Sequence, residues 1–146
     1  MISRLYRPGD PVAEHIAQIY REHGLCFDAD FEDDLFRVPE VYAHGRFWVV
    51  EEDGQLLATA AVVPNGGVRL IRRMYVASRA RRRGLARMLV QQCLEWGDFS
   101  RTELWSDVRF REAHALYRRF GFQSGHVRVL ADPDRSVELF FWKDAL

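Results

Sequence analysis

Apolar residues recur with two different periods along the chain, and the shorter period marks three neighbouring segments. Residues 46–51, 55–63 and 68–76 are apolar and rich in β-branched side chains, as strands are. Glu52-Asp53-Gly54 and Pro64-Asn65-Gly66-Gly67 separate them, and Asp-Gly and Asn-Gly sequences are typical of tight hairpins. The pattern therefore predicts an antiparallel meander of three strands.

The longer period, that of an α-helix, appears in residues 10–24, 84–96 and 109–120. A shorter helix is predicted near residues 31–36, ended by Val38-Pro39 because proline disfavours a helical residue before it. The apolar faces of the three longer helices are formed by Val12, Ile16, Ile19 and Tyr20, by Leu85, Leu89, Cys93 and Trp96, and by Ala113, Leu116, Tyr117 and Phe120.

Four further strands complete the pattern, at residues 2–6, 102–106, 126–130 and 137–142. The predicted order is β-α-α-β-β-β-α-β-α-β-β. Hairpin strands combined with helical crossovers indicate an α/β (mixed α+β) fold around one mixed sheet. A length of 146 residues suits a single domain over residues 1–146.

The composition is that of a globular protein, with 48% hydrophobic and 29% charged residues. The first residues lack the apolar run of a signal peptide, and no apolar stretch approaches the ~20 residues that cross a bilayer. These features predict a cytoplasmic protein that does not bind membranes.

The metal-binding residue types do not form a metal site in the sequence. Two cysteines, Cys26 and Cys93, are too few for a disulfide framework or a zinc site. We expect Cys93 to be buried, and we expect Cys26 to be buried or, as the alternative, to line a pocket. The five histidines lack metal-ligand spacing, so surface or capping roles are expected for them. The sequence predicts no metal.

The charges sum to zero but are strongly segregated. Residues 1–53 contain twelve acids and five arginines, a balance of −7. Residues 54–94 contain eight arginines and no acid, a balance of +8, and residues 95–146 contain nine acids and eight bases, a balance of −1. The basic block alone would suit a nucleic-acid binder, but the acidic segment and the zero net charge argue against that class.

The basic block culminates at residues 76–87, where a predicted strand passes into a predicted helix. A helix N-terminus is already positive, so the added arginines lower stability unless an anion binds there. One interpretation is a phosphate site built from free backbone N–H groups. The alternative is a solvated basic helix start with Gly84 as an ordinary turn residue.

Two motifs in this half of the chain resemble the GNAT family of N-acetyltransferases. Arg81-Arg82-Arg83-Gly84-Leu85-Ala86 matches the family's Gln/Arg-x-x-Gly-x-Gly/Ala loop, which follows a strand and opens a helix. Downstream, residues 113–122 are similar to its Ala-x-x-Leu-Tyr-x-x-x-Gly-Phe segment. The order of elements agrees as well, so the resemblance spans most of the chain and is weakest over residues 10–45.

The resemblance implies an acetyl-CoA-dependent acyltransferase with a sheet splayed at the cofactor site. The loop amides of residues 81–86 would bind the CoA pyrophosphate with Arg87 nearby, and Met74, Tyr75 and Val76 would pair with pantetheine. Tyr117 would be the general acid that protonates the CoA thiolate. Without the motif, the favoured interpretation of Tyr117 is a core aromatic on the apolar face of its helix.

The expected general base is the main departure from the family pattern. Family members often carry a carboxylate on the strand before the loop, whereas this chain has no acid between Gly54 and Leu94. The base is therefore absent, water-mediated, or supplied by Glu103, Asp107 or the acidic N-terminal segment. A non-catalytic acyl-CoA-binding module is the alternative function.

The acceptor side is predicted from residues 27–36, which contain five acids and three phenylalanines. Phe27, Phe31 and Asp34 are the candidate contacts for a cationic amine, either a small molecule or a protein lysine. The alternative is a solvated acidic face with Phe31 and Phe36 packed inward. The resemblance also allows a homodimer formed through a sheet edge.

Overall fold

The computed structural model describes residues 1–145, which form a mixed α/β fold around one seven-stranded sheet. The strands are β1 (Ile2–Leu5), β2 (Arg46–Glu52), β3 (Gln55–Asn65), β4 (Val68–Val76), β5 (Arg101–Asp107), β6 (Gln123–Val129) and β7 (Val137–Asp144). The helices are α1 (Val12–Glu22), α2 (Val38–Val41), α3 (Leu85–Glu95) and α4 (Arg111–Arg119), with 3₁₀ turns at Asp33–Phe36 and Ser78–Ala80. The predicted fold class and element order are confirmed.

The sheet has the order β1-β2-β3-β4-β5-β7-β6, and only one of its pairings is parallel. β1 to β4 pair antiparallel, as do β5, β7 and β6. The parallel pairing joins β4 to β5 at Arg69↔Thr102 and Leu70↔Glu103 and goes no further. Beyond Leu70 the two strands diverge, which opens a cleft in the middle of the sheet.

Helices cover both faces of the sheet. On one face α1 and α2 pack over β2 and β3, with Val12, Ile16 and Val49 in the core. On the other face α3 and α4 pack over the strands, with Leu89 and Phe141 fully buried. The two layers of helix hold the sheet from both sides, so the cleft lies inside a fixed frame.

Both predicted hairpin turns are confirmed, and both use left-handed backbone. Asp53 and Gly54 have φ of 53° and 77°, and Gly66 and Gly67 have φ of 56° and 83°. Two consecutive positive φ values are the mark of the tight turn that fits twisted strands. The second turn is tighter than predicted, so β3 extends through Pro64 to Asn65.

Several local predictions are wrong. Pro39 does not end the helix before it but lies in the first turn of α2, where its missing N–H has no intrahelical partner to lose. Cys26 is exposed rather than buried and lines a cavity, as its alternative interpretation expected, and its amide lies 2.7 Å from the Asp134 carboxylate; Cys93 is buried as predicted. His15 and His114, expected at the surface, are buried in the core.

No helix within residues 1–145 is long and apolar enough to span a bilayer. Over the same range, no three His, Cys, Asp or Glu side chains are grouped so that they could hold a metal ion.

Candidate active site

A bulge in β4 creates the cleft. Thr59 pairs with Tyr75 but Ala61 pairs with Arg72, so β4 has one more residue than β3 over this stretch. Arg73 adopts a left-handed φ of 54°, and the buried Thr59 hydroxyl donates to its carbonyl oxygen over 2.8 Å. A bulge bends its strand, and here it turns β4 away from β5.

A cavity of about 1020 Å³ lies on the α3 and α4 side of this cleft, and we call it the loop cavity. It brings together nearly all of the residues predicted to bind the cofactor: Met74, Tyr75, Val76, Arg81, Arg82, Gly84, Leu85, Ala86 and Arg87. Arg83 is the exception. Its guanidinium points away and forms an ion pair of 2.6 Å with Glu52.

The loop before α3 presents free backbone N–H groups to the loop cavity. Arg82 and Gly84 adopt left-handed φ values of 64° and 77°, and Gly84 is the N-cap without a side-chain cap. Met88 makes the first intrahelical bond, to the Gly84 carbonyl oxygen over 3.0 Å. The amides of residues 85–87 precede it and have no intrahelical acceptor, which is the arrangement that binds anions.

Six arginines and a single carboxylate line the loop cavity. Three of the arginines come from the loop and α3, as predicted, and the other three lie on the facing wall: Arg109, Arg111 and Arg119. Arg81 is 3.6 Å from Glu22, whereas Arg82 and Arg87 have no ion pair with any residue in 1–145. The facing wall was not predicted from the sequence, although Arg109 and Arg111 precede the second motif and Arg119 lies within it.

A second cavity of about 500 Å³ opens between β4 and β5, and we call it the strand cavity. Met74, Tyr75 and Phe110 line both cavities, so the two meet at the bulge. Phe110 packs its ring against Tyr75, 5.6 Å between centroids. A ligand in the loop cavity can therefore present one end to a second ligand in the strand cavity.

Tyr117 lines the strand cavity from α4. Its ring is buried against Phe122 and Phe141, at centroid distances of 5.8 and 5.3 Å. Its hydroxyl has no side-chain hydrogen bond within residues 1–145. Burial raises the pKa of Tyr117, so the hydroxyl is protonated at neutral pH and available as a donor. Tyr117 is thus a core aromatic that also lines a cavity, and its role as a general acid stays a prediction.

A buried cluster fixes the acidic segment to the bulge. The Arg73 guanidinium contacts Asp34 at 2.5 and 3.0 Å and Glu32 at 2.5 Å. Tyr42 also donates to Asp34. Although burial acts to raise it, the pKa of Asp34 lies below its ordinary value because Arg73 stabilises the carboxylate.

Tyrosine hydroxyls connect this cluster to the junction of the cavities. The Tyr20 hydroxyl donates to Glu32 over 2.9 Å and lies 3.1 Å from the Tyr75 hydroxyl. Burial raises the pKa of both tyrosines, so both are protonated. Arg73, Glu32 and Tyr20 thereby hold the Tyr75 side chain at the point where the cavities meet.

The residues predicted to contact the acceptor are only partly brought together. Phe31 lines the strand cavity and is 46% exposed. Phe27 packs instead against Tyr20 and Phe36, and Asp34 lies behind the wall with Arg73. The inward packing considered for Phe31 and Phe36 is wrong, because Phe36 is 58% exposed. Arg73 also offsets much of the negative charge expected of this wall.

The carboxylates proposed from the sequence as bases do line the strand cavity, but each is ion-paired. Glu103 is 2.9 Å from Arg101, and Asp107 is 3.2 Å from Arg109. Asp107 also accepts the backbone N–H of Arg109 over 2.9 Å. Neither carboxylate is a free acceptor for a proton released in the cavity.

Comparison with known proteins agrees with this architecture. The model of the Acetyltransferase (GNAT) family matches residues 16–122. N-acetyltransferase family 8 member 2 of Rattus norvegicus is 34% identical over 119 residues, which cover 71% of this chain and 50% of the rat protein. The chain spans about half the length of the curated relatives that it matches.

Solved structures share the whole fold. An acetyltransferase of the GNAT family from Staphylococcus aureus superposes with a TM-score of 0.83 at 18% identity, covering 98% of both chains. A ribosomal-protein-alanine N-acetyltransferase from Brucella melitensis superposes with a TM-score of 0.72 at 17% identity, covering 99% of this chain and 100% of the other. The splayed sheet and the loop before α3 define an acetyltransferase fold. With the match over residues 16–122, the chain belongs to the GNAT family of acetyltransferases.

Proposed function

We propose that the chain is an acetyl-CoA-dependent N-acetyltransferase that moves an acetyl group to a primary amine of a small molecule or a protein. The observation that carries this is the meeting of the two cavities at Met74, Tyr75 and Phe110. The arginine-lined loop cavity suits a polyanionic donor whose reactive end would lie at the bulge. The strand cavity would bring the acceptor to the same point.

Binding of acetyl-CoA is assigned to the loop cavity. The free amides of residues 85–87 and the unpaired Arg82 and Arg87 suit the pyrophosphate. The edge of β4 beyond Leu70 has no strand partner on the β5 side, so its backbone groups suit pantetheine. When bound, acetyl-CoA supplies the acyl group, and the protein holds it at Met74.

The acetyl group would pass directly from acetyl-CoA to the amine while both are bound to the protein. The amine in the strand cavity attacks the thioester carbonyl, and a backbone N–H near Met74 stabilises the oxyanion. Tyr117, which is protonated, donates to the departing thiolate. Holding the two reactants in attack geometry supplies several kcal/mol of the barrier reduction.

Two measurements test the proposal. Acetyl-CoA is expected to raise the melting temperature, and CoA thiol release is expected with some member of a panel of polyamines, amino acids and lysine peptides. Tyr117→Phe is expected to lower kcat about 10²-fold or more with little change in acetyl-CoA affinity. Tyr6→Phe is the matched control, because Tyr6 packs on Phe47 outside both cavities. No thermal shift with acetyl-CoA would contradict the cofactor assignment.

A non-catalytic acyl-CoA-binding module is the second candidate, because β4 carries no carboxylate and those of β5 are ion-paired. It is favoured if acetyl-CoA stabilises the protein, no amine in the panel is acetylated, and Tyr117→Phe changes nothing.

A further inference from the structure

Ser106 and His114 form a polar pair at the wall of the strand cavity. Ser106 lies on β5 past the point where it leaves β4, and its side chain lines the cavity that Tyr117 also lines. His114 lies one turn before Tyr117 on α4 and is 5% exposed. Its Nε2 is 3.0 Å from the Ser106 hydroxyl oxygen. The serine therefore connects a buried imidazole to the cavity.

The surroundings of His114 keep its ring neutral. Burial lowers its pKa from the ordinary 6.5, and the Arg118 cation on the same helix acts in the same direction. Asp107 on β5 acts to raise the pKa of His114, but the pKa still lies below its ordinary value. From β7 only the ring of Phe141 faces it, 5.0 Å away, and Tyr117 lies at 6.5 Å. A neutral imidazole has one bare nitrogen that accepts a hydrogen bond.

Other proton acceptors at the strand cavity are already engaged. Glu32 is held by Arg73, Glu103 by Arg101, and Asp107 by Arg109. Asp132 accepts both the amide and the hydroxyl of Ser136, and Glu138 pairs with Arg128. Four of these carboxylates are paired with an arginine and Asp132 accepts two hydrogen bonds from Ser136, whereas the imidazole of His114 has no cation within hydrogen-bond distance.

We propose that Ser106 accepts the proton of the attacking amine while passing its own proton to Nε2 of His114. This inference rests on the proposed acetyl transfer. The amine nitrogen bonds to the carbonyl carbon, the carbon–sulfur bond breaks with its electrons on sulfur, and Tyr117 protonates the sulfur. The products are the acetamide and the CoA thiol. The imidazolium and the phenolate left behind return to their starting forms as one proton moves from His114 to Tyr117 through water.

The proposal assigns Ser106 to the reacting atoms and lets His114 act through it. It also explains how a chain without an acid on β4 removes the amine proton. The bare nitrogen must then be Nε2, with Nδ1 carrying the proton, because only this tautomer lets the Ser106 hydroxyl donate to the ring.

Kinetics of the full chain provide the first test. Ser106→Ala and His114→Gln are expected to lower kcat at least tenfold while the KM for acetyl-CoA stays within twofold. In the wild type, kcat falls as pH drops through the His114 pKa, and this acidic limb is lost in His114→Gln. His44→Gln is the matched control, because His44 is exposed and lines neither cavity. An unchanged acidic limb in His114→Gln, or an unchanged kcat in Ser106→Ala, overturns the relay.

A spectroscopic test needs no turnover. Nitrogen NMR of ¹⁵N-histidine-labelled protein, with the His114→Gln variant assigning the signal, is expected to show a bare Nε2 at pH 7 and titration below 6.5. A protonated Nε2 overturns the relay. A wild type that binds acetyl-CoA but acetylates no amine overturns the proposed function and the relay together, whereas active Ser106→Ala overturns the relay alone.

Discussion

Replacing Arg73 by methionine tests whether the bulge depends on its buried ion pairs. Arg73 is 7% exposed and neutralises Asp34 and Glu32, whose side chains are 9% and 13% exposed. The substitution leaves two carboxylates buried together, and removing one partner of a buried pair costs about 3–5 kcal/mol. A protein of this size has roughly 7–20 kcal/mol of stability, so we expect the melting temperature to fall by about 6–20 °C.

Urea unfolding followed by tryptophan fluorescence measures this loss. Arg37→Met is the matched control, since Arg37 pairs with Asp33 and Glu40 in the same segment but is 50% exposed. It should cost much less stability than Arg73→Met, because solvent screens an exposed ion pair. A loss of under 1 kcal/mol for Arg73→Met would refute the reasoning.

The pH dependence of the same experiment has a definite sign. Arg73 keeps the pKa of Asp34 below its unfolded value, so the stability from this pair is present above about pH 4 and is lost as pH falls through the folded pKa. In Arg73→Met, burial still acts to raise the pKa of Asp34, and only the hydrogen bond from Tyr42 and the more distant Arg72 cation oppose it, so this pKa is higher than in the wild type. The difference in unfolding free energy between wild type and variant should therefore narrow as pH falls, beginning when the variant's Asp34 is protonated and continuing as the wild-type pair is lost. A difference that stays constant with pH would contradict this account.

Three further predictions use other parts of the chain. Arg82→Glu should weaken acetyl-CoA binding about tenfold or more by titration calorimetry, whereas Arg83→Glu, outside the loop cavity, should change it much less. The buried Nε2 of His15 has no hydrogen-bond partner, and burial lowers the pKa of His15 to about 4. Because the unfolded chain binds the proton more readily, the free energy of unfolding should fall by about 3 kcal/mol as pH drops from 6.5 to 4. His15→Leu should remove this part of the pH dependence. Arg69→Met should lower the free energy of unfolding, measured in urea, by about 2–4 kcal/mol. The buried Arg69 guanidinium donates to the Thr102 hydroxyl and to the carbonyl oxygens of Trp96 and Gly97, just after α3.

The hairpins and the loop before α3 were predictable because their signals are local. Asp-Gly and Gly-Gly sequences favour left-handed turns wherever they occur, and β4 has the bounds that periodicity predicts. The start of α2 was not predictable in this way. Pro39 is compatible with either the end of one helix or the first turn of the next, and the choice depends on Val38 being buried in the core.

The walls of the site contributed by distant segments were harder to predict. Arg109, Arg111 and Arg119 face the loop cavity because the splayed sheet places α4 opposite the loop. Ser106 and His114 have no motif between them, and they meet because β5 and α4 pack side by side. The periodicity of apolar residues shows which side of a helix or strand is buried, but it does not show which other element packs against that side.

The segregation of charge along the chain has two physical roles. The acidic first third and the basic middle third pair with one another in the fold, through Arg73 with Glu32 and Asp34, and through Arg83 with Glu52. These pairs fix the acidic segment to the bulge and the basic loop to the hairpin. Arg82 and Arg87, which have no ion pair within residues 1–145, line the loop cavity. Since the ion pairs position the loop and the unpaired arginines face its cavity, the same basic block shapes the site and gives it an affinity for anions.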